Sequence, residues 1–189
     1  MKTEKEKMLS GENYFSNDKE LFLERNLAKK LLHQLNVTEY LMNGKARQIL
    51  KQLLPNANKK IYIEPPFHCD YGYNIHSGEN VYFNVNCVVL DTMKVEIGDN
   101  VFFGPAVQIY TATHPTDATE RLKTQFSKPI KIGNNCWISS GSTIGGNCKI
   151  RDFSFLGLNS TIGHFVNIGK KCFVGSVLCT GACWCTMRL

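Results

Sequence analysis

The chain has 189 residues, 43% of them hydrophobic and 20% charged, enough for one sizeable core or for a repeat array with a small cap. No run approaches the roughly 18 apolar residues of a membrane span, and the opening MKTEKEKMLSGENY alternates charges without the apolar stretch of a secretory signal, so a cytoplasmic protein is expected. The net charge of +6 is scattered, with 12 Lys/Arg against 7 Asp/Glu in residues 1–60 and 10 against 9 in the rest, and it lacks the basic, aromatic-bearing stripe of a nucleic-acid reader.

Residues 1–58 read as a helical cap. Asn17 with Glu20 three positions later resembles a capping signal, and Leu21, Arg25, Ala28, Leu31, Leu32 and Leu35 follow helical spacing. A second helical segment is expected from Thr38 to Leu54, ending before Pro55, with Ile49, Leu50, Leu53 and Leu54 as its apolar face and Gly44 as an unfavourable interior residue. From Ile61 the pattern becomes strand-like, with rungs beginning at Ser77, Phe83 and Val89. After an interruption at Asp91–Lys94, further rungs begin at Ile97, Phe103 and Ile109. Residues 111–129 hold few aliphatics and many polar groups, so they should leave the scaffold as a projecting loop, a place where function tends to sit.

From Ile132 to Cys179 the chain is a run of hexapeptides in one register. Ile132, Ile138, Ile144, Ile150, Leu156, Ile162, Ile168 and Val174 recur every sixth position. Glycine usually follows, at 133, 145, 157, 163, 169 and 175, with Ser139 and Arg151 as exceptions. Four places after each aliphatic comes a mostly small residue: Cys136, Ser142, Cys148, Ser154, Ser160, Val166, Cys172 and Leu178. A helix needs a period of 3.6 and an isolated strand a period of two; a period of six fits a parallel β-helix, an all-β fold over residues 59–180. The aliphatic would fill the interior, the small residue would sit beside it, and the glycine would permit a corner with positive φ. Residues 181–189 match no rung and read as a tail. Cys87, Cys136, Cys148 and Cys172 fall in the small interior slot, so reduced structural thiols are expected rather than disulfides or a metal site at Cys179, Cys183 and Cys185.

Three segments, CDYGYNI at 69–75, IYTATHP at 109–115 and IGNNCWI at 132–138, closely resemble the maltose and galactoside O-acetyltransferases, hexapeptide-repeat enzymes. The resemblance spans roughly residues 1–145. It implies a left-handed β-helix, a homotrimer with active sites between neighbouring subunits, acetyl-CoA as co-substrate, a sugar hydroxyl as acceptor and no metal. His114 matches the family's catalytic histidine. A sugar hydroxyl is too weakly acidic to attack a thioester at neutral pH unaided, and imidazole titrates near that pH. The resemblance implies direct attack without an acyl-enzyme, with the backbone amide at Ser140 as the candidate donor to the oxyanion. Asn84 matches the asparagine at the junction of acceptor and thioester. Gly104, Trp137, Ser140 and Leu158 match cofactor-lining positions. Asp70 matches an acceptor position, Asp91 or Thr92 matches another, and Asp18 and Arg25 in the cap fall near further ones; Asp70 reads equally as a turn residue before Tyr71-Gly72.

The C-terminus departs from the family. The rungs continue about two repeats further, and Thr180-Gly181, or Gly163-His164 in an ungapped alignment, stands where a Thr-Lys pair is expected. Three other readings stand beside a sugar O-acetyltransferase. One is an acyltransferase acting on a sugar nucleotide or another small hydroxyl or amine acceptor. The second is a non-catalytic assembly protein that has lost CoA. The third, a zinc enzyme using His68, His76 and His114, is opposed by the IYTATHP context.

Overall fold

The computed structural model describes residues 2–38, 44–176, 178 and 179. The tail 181–189 and its cysteines, and the start of the second helical segment at 39–43, lie outside the described residues. The N-terminal region is helical: α1 (Glu4–Ser10), α2 (Lys19–Asn36) and α3 (Gly44–Leu53). Helix α1 opens on a capping box between Thr3 and Glu6. The N-cap of α2 is Asp18, not Asn17: the Asp18 carboxylate accepts from the N–H groups of Glu20 and Leu21 at 2.9 and 3.3 Å. A carboxylate there meets both the free amides and the helix dipole. Leu21, Ala28, Leu32 and Leu35 of α2, and Ala46, Ile49, Leu50 and Leu53 of α3, are buried. The described part of α3 begins at Gly44.

Every strand from residue 62 onward, apart from one ribbon in the loop, pairs in parallel with the equivalent strand of the next coil. Three sheets result. The first face stacks Tyr62–Ile63, Tyr82–Phe83, Phe102–Phe103, Trp137–Ile138, Phe155–Leu156 and Phe173–Val174. The second stacks Phe67–Cys69, Cys87–Leu90, Gln108–Tyr110, Thr143–Gly145, Thr161–Ile162 and Leu178–Cys179. The third stacks Ile75–Ser77, Val95–Ile97, Ile130–Ile132, Lys149–Ile150 and Asn167–Ile168. In the lower coils partners lie eighteen residues apart, as in Ile132, Ile150 and Ile168. In the upper coils the step is twenty, as in Phe83 and Phe103, the extra residues falling at Asp91–Lys94. The loop widens it to thirty-five, so that Ile132 still lands on Ile97.

The aliphatic column is buried throughout, from Ile132 to Val174. The glycines beside it serve a different purpose from the one expected. They lie outside the positive-φ region, which is instead reached three residues after each aliphatic: Asn135, Gly141, Asn147, Phe153, Asn159, Phe165 and Lys171, all with φ between 54° and 70°. Asparagine tolerates this conformation and glycine needs no tolerance, which accounts for four of these seven corners. At Gly104 and Gly133 the glycine after the inward residue is required by close approach between coils. A Cβ on Gly133 would come within 2.7 Å of the Asp152 amide nitrogen, and one on Gly104 within 2.7 Å of the Ser140 nitrogen.

The small slots also do more than fit. Ser142, Ser154 and Ser160 donate to the carbonyls of Gly157, Gly169 and Gly175 at 3.0, 2.7 and 2.8 Å, and Cys148 donates to Gly163 at 2.9 Å. Each bond reaches fifteen residues ahead, satisfying a carbonyl at the edge of the core. Cys69, Cys87, Cys136 and Cys148 are buried free thiols, and Cys172 is buried as well. Burial pushes the Cys148 thiol up to about 11, leaving little thiolate at neutral pH.

Candidate active site

The outward-facing residues of the prism divide the sequence-predicted site between two corners. At the corner between the first and second faces lie Asn84, Gly104, Ser140 and Leu158, on successive coils. Asn84 is half-buried and its Oδ1 accepts from the Val85 N–H at 2.8 Å. Gly104 leaves room directly against Ser140. The amides on either side of Ser140 are bonded, Ser139 to the Leu156 carbonyl and Gly141 to the Pro105 carbonyl, both at 2.9 Å. The Ser140 N–H itself meets no acceptor among the described residues. Leu158 is 56% exposed, one coil below. Trp137 stands next to this corner on the first face, 54% exposed, its ring edge against Phe155 at 4.8 Å.

At the corner between the second and third faces lie Asp70, Asp91, Thr92 and the root of the projecting loop. Ala112–Thr113 and Phe126–Ser127 pair antiparallel, closing the loop into a ribbon at its base. Between them a short helix, α4 (Ala118–Arg121), is capped by the Asp117 carboxylate, which accepts from Thr119 and Glu120 at 2.9 and 2.8 Å. His114 follows the ribbon directly and is exposed, with no side-chain hydrogen bond among the described residues.

Asp91 and Thr92, expected to meet an acceptor, are enclosed. Asp91 is 0% exposed; its carboxylate accepts from the N–H groups of Asp70 and Tyr71 at 3.0 and 2.9 Å and of Asn74 at 3.3 Å. It thereby shapes the turn 70–74, whose Gly72 has φ +82° and faces the Leu53 carbonyl with no space for a Cβ. Burial pushes the Asp91 carboxyl up to about 7 against the pull of the N–H donors. Thr92 is 3% exposed and bonds to the Thr111 and Ser127 hydroxyls. Asp70 is half-buried and raised by desolvation, with Arg25 and Lys29 opposing; its carboxylate has no hydrogen-bond partner among the described residues. Arg25 is committed to the Tyr71 hydroxyl and the Ser16 carbonyl, both at 2.7 Å, and Asp18 to its helix.

We expect Asp91→Asn to lower stability by about 1–3 kcal/mol, because its oxygen can keep two of the bonds while its amide group turns toward the Asn74 N–H. The substitution should also remove a pH slope. Between about pH 4 and pH 7 the folded chain holds a proton that the unfolded chain has released, so this group's contribution to stability falls as pH rises through that window. Urea unfolding of both proteins at several pH values checks both effects.

His68 and His76 project from the second and third faces, on different coils from His114. Among the described residues no group of three or more His, Cys, Asp or Glu side chains could hold a metal ion. No helix among them is long and apolar enough to cross a membrane. Sequence reasoning missed Tyr14, Thr111, Gln125 and Ser127, which bind the loop roots; nothing in their local pattern distinguishes them.

A prism of hexapeptide coils with a histidine-bearing loop at one corner and an open amide at the next defines a hexapeptide-repeat acyltransferase. Residues 7–57 match the maltose acetyltransferase hexapeptide capping motif. The chain is 43% identical over 145 residues to nodulation protein L of Rhizobium meliloti, covering 75% of this chain and 78% of that protein. It is 34% identical over 132 residues to galactoside O-acetyltransferase of Lactococcus lactis, covering 69% and 64%. The crystal structure of a maltose O-acetyltransferase from Clostridium difficile superposes with a TM-score of 0.88 at 43% identity, covering 92% of both chains. A galactoside acetyltransferase in complex with coenzyme A superposes with a TM-score of 0.78 at 28% identity, covering 93% of this chain and 87% of that one. The chain belongs to the maltose and galactoside O-acetyltransferase family, and it is an acetyltransferase.

Proposed function

We propose that the protein transfers acetyl from acetyl-CoA to a hydroxyl of a small sugar, with His114 as general base, in sites formed between the subunits of a homotrimer. The observation that carries this reading is the division of the site between two corners. Along the second face, Asp91 lies seven positions beyond Asn84, on the order of 20 Å of extended chain. A base must come within about 3 Å of its proton. His114 follows a ribbon pinned to its own corner, so the Asn84 and Ser140 that complete its site come from a neighbouring copy. Three copies close such a heterologous contact into a ring when each turns its second face toward the axis. The outward column of that face, His68, Val88, Gln108, Thr143 and Thr161, holds no Lys, Arg, Asp or Glu, which suits burial there.

In this arrangement the thioester carbonyl lies against the open Ser140 amide, with the pantetheine arm running along Gly104, Trp137 and Leu158. His114 takes the hydroxyl proton, the oxygen attacks the carbonyl, and the collapsing oxyanion breaks the C–S bond, the departing sulfur taking the proton back from His114 so that CoA leaves as thiol. Asp70, whose carboxylate has no hydrogen-bond partner among the described residues, accepts sugar hydroxyls, with Arg25 of the cap nearby and Asp18 in the same cap. Acetyl transfer from acetyl-CoA to maltose, glucose and galactosides, followed as thiol release alongside a light-scattering mass, tests the reading. A trimer that acetylates one of these sugars is the expected result. Transfer only to amines or sugar nucleotides would overturn the acceptor assignment, and absence of CoA binding would favour an assembly protein.

A further inference from the structure

Four hydroxyls lie beneath the His114 loop, where the loop, the N-terminal arm and the turn after Leu90 meet. Tyr14, Thr92, Thr111 and Ser127 are 1%, 3%, 0% and 0% exposed. The Thr92 Oγ1 lies 3.0 Å from the Thr111 hydroxyl and 2.6 Å from that of Ser127, while Thr111 donates to the Leu90 carbonyl at 2.6 Å. The Tyr14 hydroxyl accepts from the Gln125 side-chain amide, and the Ser127 and Thr92 hydroxyls lie close enough to act on it. Thr111 and Ser127 are the two roots of the loop, three residues before His114 and thirteen after it. Tyr14 belongs to the N-terminal arm, whose backbone makes a further two-bond bridge to Gln125, at 2.9 and 3.1 Å. The arm is anchored in turn by Met8, Tyr14, Leu21 and Tyr71, a core separate from that of the prism, and by Lys128, which donates to the Gly11 carbonyl at 3.1 Å.

Thr111 ties the cluster to the coil, through the Leu90 carbonyl and the Met93 N–H, while Thr92 and Ser127 bond within the cluster. Ile109 and Ile130 on either side of it are stacked on Val89 and Val95 and buried by the aliphatic columns. What the cluster fixes is the position of the loop. We propose that Tyr14 and Thr92 are positioning residues for His114, clasping both roots of its loop to the N-terminal arm. The inference rests on the reading of His114 as the base. A buried, fully satisfied hydroxyl network has few alternative arrangements, and a displacement of about 1 Å at a reacting group can cost on the order of 10²-fold in rate. Thr92 therefore acts on the reaction through the loop, not by touching the sugar.

The test compares full-length Tyr14→Phe, Thr92→Val and Thr92→Ser. Assays use acetyl-CoA with the best acceptor of the sugar panel, and amide hydrogen exchange is followed over residues 111–127. We expect Tyr14→Phe and Thr92→Val to lower kcat by about 10- to 100-fold, with KM for acetyl-CoA changed less than about twofold. Exchange in the loop should accelerate, and Thr92→Ser, which keeps the hydroxyl, should recover most of the turnover. Unchanged loop exchange would overturn the clasp while leaving the base assignment intact. Faster exchange with unchanged kcat would overturn the positioning role, and His114→Ala measured alongside shows whether the base assignment has failed with it. A fall in kcat that Thr92→Ser does not repair, or one matched by a rise in KM, would also overturn it.

Discussion

His114→Ala lowers turnover by about 10²–10⁴-fold, the usual contribution of a positioned general base, while leaving the melting temperature and CoA affinity close to those of the parent. The side chain is exposed and holds no hydrogen bond among the described residues, so its removal creates neither a cavity nor an orphaned buried group. Steady-state kinetics with calorimetric titration of CoA separate the two effects. The division of the site between corners adds a sharper form of the experiment. His114→Ala and Asn84→Ala subunits, each inactive alone, should regain activity when unfolded together and refolded, because some interfaces then pair an intact His114 with an intact Asn84. No recovery in verified mixed trimers would place both residues in one chain's site. A His114→Ala protein keeping most of its activity would remove the base assignment altogether.

Ile150→Asp abolishes folding. Ile150 is 1% exposed and stacked between Ile132 and Ile168, so a carboxylate there lies inside a narrow aliphatic column without a partner. The cost is several kcal/mol, on the order of a domain's whole stability. Neighbouring Lys149 faces outward in the same strand, and Lys149→Asp should leave the protein soluble with a nearly unchanged melting temperature. The pair therefore tests the register itself. Thermal unfolding followed by circular dichroism distinguishes the outcomes; a soluble Ile150→Asp protein with the parent's transition would show the hexapeptide phase to be shifted.

The sequence by itself determined the β-helix, because each coil repeats the same steric demand at the same three faces. An aliphatic every sixth residue from Ile132 to Val174 has one compact solution, and the break at Thr111 marks where the chain leaves it. The helical cap was also legible, although its boundary moved by one residue to Asp18, since Asn and Asp are nearly equivalent caps and only the direction of the first turn separates them. His114 stood out through its motif and its place in a loop. Only the tertiary structure decided what surrounds it. The φ values at Phe153, Phe165 and Lys171 are imposed by the coil geometry against those residues' own preferences, and Gly104 and Gly133 are fixed by the backbones of Ser140 and Asp152 on the next coil. Asp91 and Thr92 carry polar groups that suit a sugar equally well in the sequence. Folding places Asp91 over three backbone N–H donors and Thr92 between the two roots of the loop, both out of reach of solvent. Tyr14 joins that cluster across 111 residues to Gln125, a contact that no local pattern encodes because it exists only once the arm, the prism and the loop have packed together.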